Sequence, residues 1–519
     1  MNNAPVILRS LIVYAVCVPL AVIVGFMLTD PMDYSTLGLF GVLALLLISP
    51  LLLRWHHPLL VLSWNLGITL FFIKGAPSLG LVMVVLSLGI SVVERALNSQ
   101  RRFIPVPQIT WPLICLMGVV LVTAKFTGGF GLHAFGSDVY GGKKYIYLVI
   151  GVLSYFALTA RRIPPQRAGL YVGLFFLGGL SSIIGDLFPF VPSWAYPIFW
   201  FFPPTGYAFQ NFELGETRLG GFSSAGVMLW CFLLARYGIR GIFLEGKLWR
   251  PVLLILSLLM VFLGGFRGVF LFVVLIFALQ FFMEGMHRTR LLPIFAFFGV
   301  LAAVAIVPLA NKLPFTFQRT LAFLPLQINP AAREAAQTTV DWRVNMWKAL
   351  MPQIPQYLLL GKGMAITPED YNEMMGQTAL SDAAGNFDPG QNSLALAYDY
   401  HNGPLSVIIP FGIWGCITFL WFLAAGFRVL RCNYRYGDPS LQTINTFLFA
   451  AFLAYVIQFM FIGGALSLDL SKFVGAIGLG IALNGGMCEP APQPVQAKEP
   501  FLRPRGALPG SRPGPAFTR

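Results

Sequence analysis

The sequence LLPIFAFFGVLAAVAIVPLA occupies residues 291–310 and carries no charged side chain over its whole length. A helix rises about 1.5 Å per residue, so a run of about 20 apolar residues is long enough to cross a hydrocarbon core of about 30 Å. This stretch therefore predicts a membrane-spanning helix, and it sets the scale on which the rest of the chain is interpreted.

Apolar runs of this kind recur along the chain and decide its class. Of the 519 residues, 57% are hydrophobic and 11% are charged, whereas soluble domains average about 25% charged residues. So few charges cannot cover a water-soluble surface, which excludes a soluble enzyme of this length. We predict an all-α polytopic membrane protein of about 12–14 transmembrane helices with one large, mainly helical loop. The predicted spans are residues 8–29, 36–53, 58–74, 78–96, 110–126, 143–160, 168–186, 220–237, 251–266, 268–284, 291–310, 404–427, 442–463 and 470–486.

The net charge of +14 is explained by topology. With a cytoplasmic N-terminus, every connection on the cytoplasmic side is basic, as the positive-inside rule requires. No polar segment carries a basic stripe with interleaved aromatics, so nucleic acid is not an expected partner. The six cysteines form no CxxC pair, and we predict neither a disulfide framework nor a metal site. The basic residues assigned to the cytoplasmic side are Arg54, Arg101, Arg102, Arg161, Arg162, Arg167, Arg240, Lys247, Arg250, Arg288, Arg290, Arg428, Arg431 and Arg435.

Two connections on the opposite side stand out. Residues 187–219 are rich in aromatics and proline, which is typical of a segment at the membrane interface. Loops as long as residues 311–403 are usually functional or disordered, and here helical periodicity favours an ordered loop, because Arg343, Trp347 and Leu350 share one face. The predicted regions are an N-terminal transmembrane bundle (1–310), the large non-cytoplasmic loop (311–403), C-terminal transmembrane helices (404–486) and a disordered cytoplasmic tail (487–519).

Arg267 is an unusual charge, because it sits in VFLGGFRGVF (residues 261–270) between two apolar segments. An arginine at a helix end can simply extend its charged head to the interface. On this topology, however, Arg267 faces the non-cytoplasmic side, against the positive-inside bias. The neighbouring glycines favour a tight turn that a ligand can approach, and a charge in so apolar a setting is a functional candidate.

Two further arginines are predicted on the same side. Arg218 precedes a helix in the segment Glu216–Phe222, and Arg343 lies in the loop in DWRVNMW (residues 341–347). Guanidinium groups stay charged and bind phosphate oxygens with paired donors, so three of them indicate an anionic ligand. For Arg343 alone, a solvated helix face or an ion pair with Asp341 or Glu334 is an equally simple interpretation.

His401 lies where the loop returns to the membrane, in Tyr398-Asp-Tyr-His-Asn402. A single histidine is most often structural. A neutral imidazole beside the carboxylate of Asp399 and the amide of Asn402 can also take a proton from a hydroxyl group. His401 is therefore the candidate general base.

These motifs together resemble the O-antigen ligase and polymerase superfamily. The resemblance rests on Arg218-x-x-Gly-x-Phe222, then Phe-Arg267-Gly between two helices, then a large loop. Within and after that loop it rests on Arg343-x-x-x-Trp347, Leu-Leu-Gly361-x-Gly363, His401-Asn402-x-x-Leu405 and Pro410-Phe-Gly-Ile-Trp-Gly415.

The resemblance implies a polytopic glycosyltransferase of the GT-C type in the bacterial inner membrane, acting at the periplasmic face, with both termini cytoplasmic. The implied donor is a glycan linked to undecaprenyl diphosphate, and the implied acceptor is lipid A–core for a ligase or a growing glycan for a polymerase. No cofactor or metal is implied. Arg218, Arg267 and Arg343 would bind the diphosphate and His401 would be the base. Supporting roles fall to Asp399, Asn402, Trp347, Gly361 and Gly363.

Two alternatives stay open at this point. The sequence names no acceptor, so ligase and exopolysaccharide or O-antigen polymerase are not separated. A transporter of a lipid-linked or other anionic solute is the non-enzymatic alternative, and it would favour charges in the middle of helices and inverted repeats.

Overall fold

The computed structural model describes residues 34–73, 75–100, 102–131, 140–204, 218–372, 398 and 400–490, together with parts of 14–29. Within these ranges the ordered elements are helices, and extended pairing is limited to isolated bridges. The helices are α1 (Tyr34–Ser63), α2 (Leu79–Leu97), α3 (Pro107–Phe126), α4 (Gly142–Leu158), α5 (Pro165–Asp186), α6 (Gly220–Phe243), α7 (Trp249–Phe262), α8 (Arg267–Met283), α9 (Leu291–Leu309), α10 (Phe315–Leu321), α11 (Pro330–Leu350), α12 (Gly403–Tyr436), α13 (Gln442–Ile457) and α14 (Leu466–Asn484).

The predicted class is confirmed. In the part of the chain that the structure describes, nine helices are long and apolar enough to cross a membrane, and α7 and α8 are shorter apolar helices. The peripheral helix α9, which is the run that opened the sequence analysis, keeps its most apolar stretch out of the protein core. Phe297 and Val304 on α9 are more than half exposed, as expected for side chains that contact lipid. The predicted first span, residues 8–29, is described only in part, and the predicted tail lies mostly outside the described residues.

The prediction of separate spans at 36–53 and 58–74 is wrong. One helical element, α1, continues through Pro50 and Pro58 to Ser63. Residues 64–73 and 75–78 form no helix, because Gly75 and Ala76 have φ angles of +89° and +43° and Pro77 follows them. They fold back instead into a short bridge between Thr69 and Ser78.

Arg54 therefore lies inside α1, although it was assigned to a loop. Its neighbour His57 forms a hydrogen bond through Nε2 with the carbonyl oxygen of Leu158 at 3.0 Å, near the pair made by Arg161 and Glu94. We call this end of the bundle the basic end. The end that carries the segment after α9 is called the loop end.

The predicted aromatic segment after α5 has the exposure expected at an interface. Its described part contains short helical turns at Phe188–Phe190, Ser193–Ala195 and Ile198–Phe201. Trp194 is 81% exposed and Trp200 is 45% exposed, so both rings are free to contact lipid headgroups.

Helix α6 is broken near the basic end. Gly238 has φ +64° and ψ 174°, which interrupts the helix. The two backbone N–H groups freed by this break, on Ile239 and Arg240, donate to the two carboxylate oxygens of Glu284 at 3.0 Å each. The Glu284 carboxylate thus satisfies backbone donors that a hydrocarbon environment would leave without partners.

Helix α12 is broken near the loop end, at Gly412, where φ is +61° and ψ is −160°. The segment 358–363 docks on this break. Lys362 N–H donates to Ile409 O at 2.8 Å, Gly363 N–H donates to Pro410 O at 2.9 Å, and Ile413 N–H donates to Leu358 O at 2.7 Å. The loop is therefore attached to the membrane helix through main-chain hydrogen bonds.

Candidate functional site

The first part of the site is the turn between α7 and α8. Gly265 adopts a φ of +66°, which lets the chain reverse before α8 begins at Arg267. Arg218 packs on this turn, since its Nε donates to Gly264 O at 3.2 Å and its guanidinium lies 4.3 Å from the ring centroid of Phe266. The structure thus brings Arg218 to Phe266, the residue next to Arg267.

A buried carboxylate outside the predicted site caps the helix that follows Arg218. Asp186 is fully buried at the end of α5, and its Oδ2 accepts a hydrogen bond from Phe222 N–H at 2.8 Å. Leu219, the N-cap residue of α6, offers no side-chain cap. Asp186 therefore caps α6 from another helix, where its negative charge also complements the helix dipole.

The second part of the site is α11, within the loop. Asn329 caps this helix by accepting from Ala331 N–H, and Pro330 occupies its first turn, which explains where the helix begins. Arg267 reaches α11 from the membrane side, and its Nη2 donates to Ala336 O at 2.7 Å. The loop helix therefore lies directly over the start of α8.

Arg319 of α10 is a fourth arginine at this place, and the sequence analysis missed it. Its Nη2 donates to the Oγ1 of Thr339 on α11 at 3.2 Å. Arg319 and Arg343 are both close enough to Arg267 to repel its charge. The available signal was a further arginine on the predicted non-cytoplasmic side, in FTFQRTL (residues 315–321).

These contacts align three guanidinium groups along one face of α11. Ala336, Thr339 and Arg343 are spaced by three and four residues, so they lie on one side of the helix. Arg267 binds at the first of these positions, Arg319 binds at the second, and Arg343 is the third. Like charges held this close favour an anion between them, and an anion with several oxygens suits their paired donors.

His401 also packs on α11, beside the row of arginine positions. Its ring packs against Trp342, the residue before Arg343, with a centroid separation of 5.6 Å and an angle of 62°. The backbone of His401 has φ +45° and that of Tyr398 has φ +55°, which is rare for residues other than glycine. Strain of this kind is held by the surroundings and is concentrated at functional positions.

Three contacts hold this strained segment. Trp347 Nε1–H donates to Tyr400 O at 2.8 Å, Tyr398 Oη–H donates to Ala365 O at 2.9 Å, and Asn402 accepts from Leu405 N–H at the start of α12. Burial raises the pKa of both the Tyr398 and the Tyr400 phenols above their usual value. Both phenols therefore stay neutral through the physiological range.

The end of α13 lies between His401 and the start of α8. Helix α13 ends in a π-helical turn, Gln458–Ile462, and π-helical turns are frequent at functional sites. A Cβ atom at Gly463 would lie 3.1 Å from the carbonyl oxygen of His401, and one at Gly268 would lie 3.3 Å from the Ile462 side chain. The end of α13 therefore touches both His401 and the residue after Arg267.

Three of the residues predicted to have supporting roles make structural contacts. Gly361 and Gly363 are on the docked segment at the break of α12, with φ angles of +83° and +75°, so their role is to attach the loop. Asn402 caps α12. Asp399 lies outside the described residues. Within the described ranges, no three His, Cys, Asp or Glu side chains come together as a metal ion would require.

One family model matches part of the chain. The family model described as O-antigen ligase matches residues 252–420. The matched span begins in α7 and ends in α12, so it contains Arg267, Arg319, Arg343 and His401 and leaves Arg218 outside. No curated protein matches the chain.

Proposed function

We propose that this chain, whose residues 252–420 match the O-antigen ligase family model, is a glycosyltransferase that acts on a lipid-linked glycan. The donor we propose is a glycan on undecaprenyl diphosphate, used at the periplasmic face of the bacterial inner membrane. The observation that carries this proposal is the alignment of Arg267, Arg319 and Arg343 along α11, with His401 packed on Trp342 beside the last of them.

The arginines suit a diphosphate leaving group. As the bond between the anomeric carbon and the diphosphate oxygen breaks, the electron pair of that bond moves onto the oxygen. Guanidinium donors already in place stabilise this charge, an effect often worth about 3–4 kcal/mol for one well-placed donor. The positions of Arg218 and Arg267 at the membrane-facing turn suit a ligand whose polyprenyl chain stays in the bilayer.

His401 suits the acceptor side of the same reaction. A neutral ring nitrogen takes the proton of the acceptor hydroxyl while the hydroxyl oxygen bonds to the anomeric carbon, a role typically worth about 10²–10⁴ in rate. Attack from the face opposite the diphosphate inverts the anomeric configuration. This glycosyl transfer uses the donor, the acceptor hydroxyl and the side chains of this chain.

The decisive experiment supplies purified protein, in liposomes, with a lipid-linked donor and follows new glycosidic bonds. We expect wild type to transfer glycan, and we expect His401→Ala and Arg267→Ala to abolish transfer while the protein stays folded in the membrane. Wild-type protein that moves the lipid-linked glycan across the bilayer without forming a bond would make it a transporter instead. Full activity in His401→Ala would remove His401 as the base.

Deletion of the gene separates the two enzymatic alternatives, because they differ in the acceptor. A ligase mutant keeps polymerised glycan that is not attached to lipid A–core. A polymerase mutant leaves products of a single repeat unit.

A further inference from the structure

A second concentration of arginines lies at the basic end, away from the site described above. Helix α3 runs from this end to Thr127, whose side chain touches Gly363 of the docked loop segment. At about 1.5 Å per residue, the 20 residues of α3 separate the two places by about 30 Å. The two groups of arginines therefore lie toward opposite ends of the bundle.

The arginines at the basic end share one open cavity of about 440 Å³ between the end of α2, the segment before α3 and the turn between α4 and α5. Four arginines line it against a single carboxylate. Glu94 is already used, because both of its oxygens lie 2.5 Å from Arg161 Nη2. The residues of the lining that matter here are Glu94, Arg95, Arg102, Arg161 and Arg162.

Basic residues at helix ends are ordinary in membrane proteins, because they set orientation. Two features go beyond that role. These side chains converge on one cavity large enough for a phosphorylated headgroup, and the cavity lies beside an apolar strip of α2. Val92, Val93 and Leu97 on that strip are 52%, 56% and 84% exposed, and the two valines stand between the lining residues Ser91 and Glu94 in the sequence.

We propose that this cavity binds the phosphate headgroup of an anionic membrane phospholipid, with the acyl chains along the exposed strip of α2. The arginines supply paired donors for the phosphate oxygens. The strip supplies the apolar contact that a soluble phosphate ester does not use. The ligand is thus amphipathic, and it is distinct from the glycan donor proposed at the loop end.

The test compares full-length protein in nanodiscs of phosphatidylcholine alone and of phosphatidylcholine with phosphatidylglycerol. Native mass spectrometry counts retained anionic lipid, and thermal unfolding reports its effect on stability. The variant is Arg95→Gln/Arg102→Gln, which leaves the Arg161–Glu94 pair intact. The matched control is Arg428→Gln/Arg431→Gln, which removes the same charge from exposed positions of α12 near the same end but outside the cavity.

We expect wild type and control to retain phosphatidylglycerol and to unfold at a higher temperature with it than without it. The cavity variant should lose about tenfold or more in retention, because charge-assisted hydrogen bonds are lost. Equal losses in variant and control would overturn the proposal in favour of a diffuse surface charge. Inorganic phosphate that stabilises wild type as well as the lipid does would also overturn it, in favour of a small-anion site.

Discussion

The docking of the loop on the broken helix α12 can be tested by adding one methyl group at Gly361. Gly361 has a φ of +83°, and a Cβ atom there would overlap the carbonyl oxygen of Pro410 and lie 2.8 Å from Phe411 Cα. Gly361→Ala therefore cannot be accommodated by a side-chain rotation. The segment 358–363 has to move away from the helix.

The magnitude follows from the contacts that are lost. An alanine at positive φ costs about 1–2 kcal/mol. Relief of the overlap with Pro410 O also shifts the docked segment and weakens the hydrogen bonds from Lys362 N–H and Gly363 N–H, at 2.8 and 2.9 Å, each worth about 1 kcal/mol and more where a buried carbonyl is left without a partner. We expect the docked state to lose roughly 3–5 kcal/mol, which raises the open population by more than about 100-fold.

Hydrogen exchange followed by mass spectrometry measures this population directly on the peptide that contains Lys362 and Gly363. The control is Gly299→Ala in α9, where a new Cβ atom meets no atom within 4 Å and alanine is the better helix former. We expect fast exchange in Gly361→Ala and unchanged exchange in the control. Equally slow exchange in both variants would refute the described attachment of the loop.

Four other predictions concern the site. His401→Asn keeps a residue that tolerates positive φ but removes the base. We therefore expect the thermal unfolding of wild type with glycan transfer reduced by about 10²-fold or more. A transfer rate equal to that of wild type would contradict the role of the ring. Arg319→Gln should lower transfer by about 10-fold or more while membrane insertion is unchanged, because one donor to the diphosphate is lost; equal rates would mean that Arg319 only binds α11. Trp347→Phe removes the donor to Tyr400 O, and we expect a fall in kcat of about 5- to 10-fold with little change in KM, and no further fall in a His401→Ala background. Because folding raises the pKa of Tyr398 and Tyr400, the stability they contribute should be complete below about pH 10 and decline as the pH rises above it, where the unfolded phenols ionise; Tyr398→Phe should flatten this decline in a denaturant titration.

Hydropathy predicted most of the helices, because the length and composition of a membrane span are dictated by the bilayer itself. The span predicted at 58–74 failed since an apolar segment can also fold back on itself when residues such as Gly75 and Pro77 interrupt it. The breaks at Gly238 and Gly412 were not predicted either. Each depends on a partner distant in sequence, Glu284 for one and the segment 358–363 for the other.

In the site too, local sequence identified candidate residues, whereas contacts with distant residues could not be predicted. Arg218, Arg267, Arg343 and His401 were recognisable as polar residues on the predicted non-cytoplasmic side of an apolar chain. Which of them share a ligand depends on where α11 packs in the fold, and its sequence does not predict that placement. Arg319 was missed for this reason, since its importance comes from a contact with Thr339 across a turn.

The two broken helices also have a consequence for how the protein is made. Ile239 and Arg240 leave the ribosome about 45 residues before Glu284, and at about 5–20 residues per second their N–H groups wait several seconds for the carboxylate that satisfies them. Residues 358–363, in contrast, are translated before α12 and are already waiting when its break is inserted. Helix α6 must therefore stay in contact with water or protein during biogenesis. Helix α12 can enter the bilayer when its partner segment has already been synthesised. Slowed synthesis between α6 and α8 should consequently be more harmful to the yield of folded protein than slowed synthesis between α11 and α12, and pausing codons placed at the two positions would measure the difference.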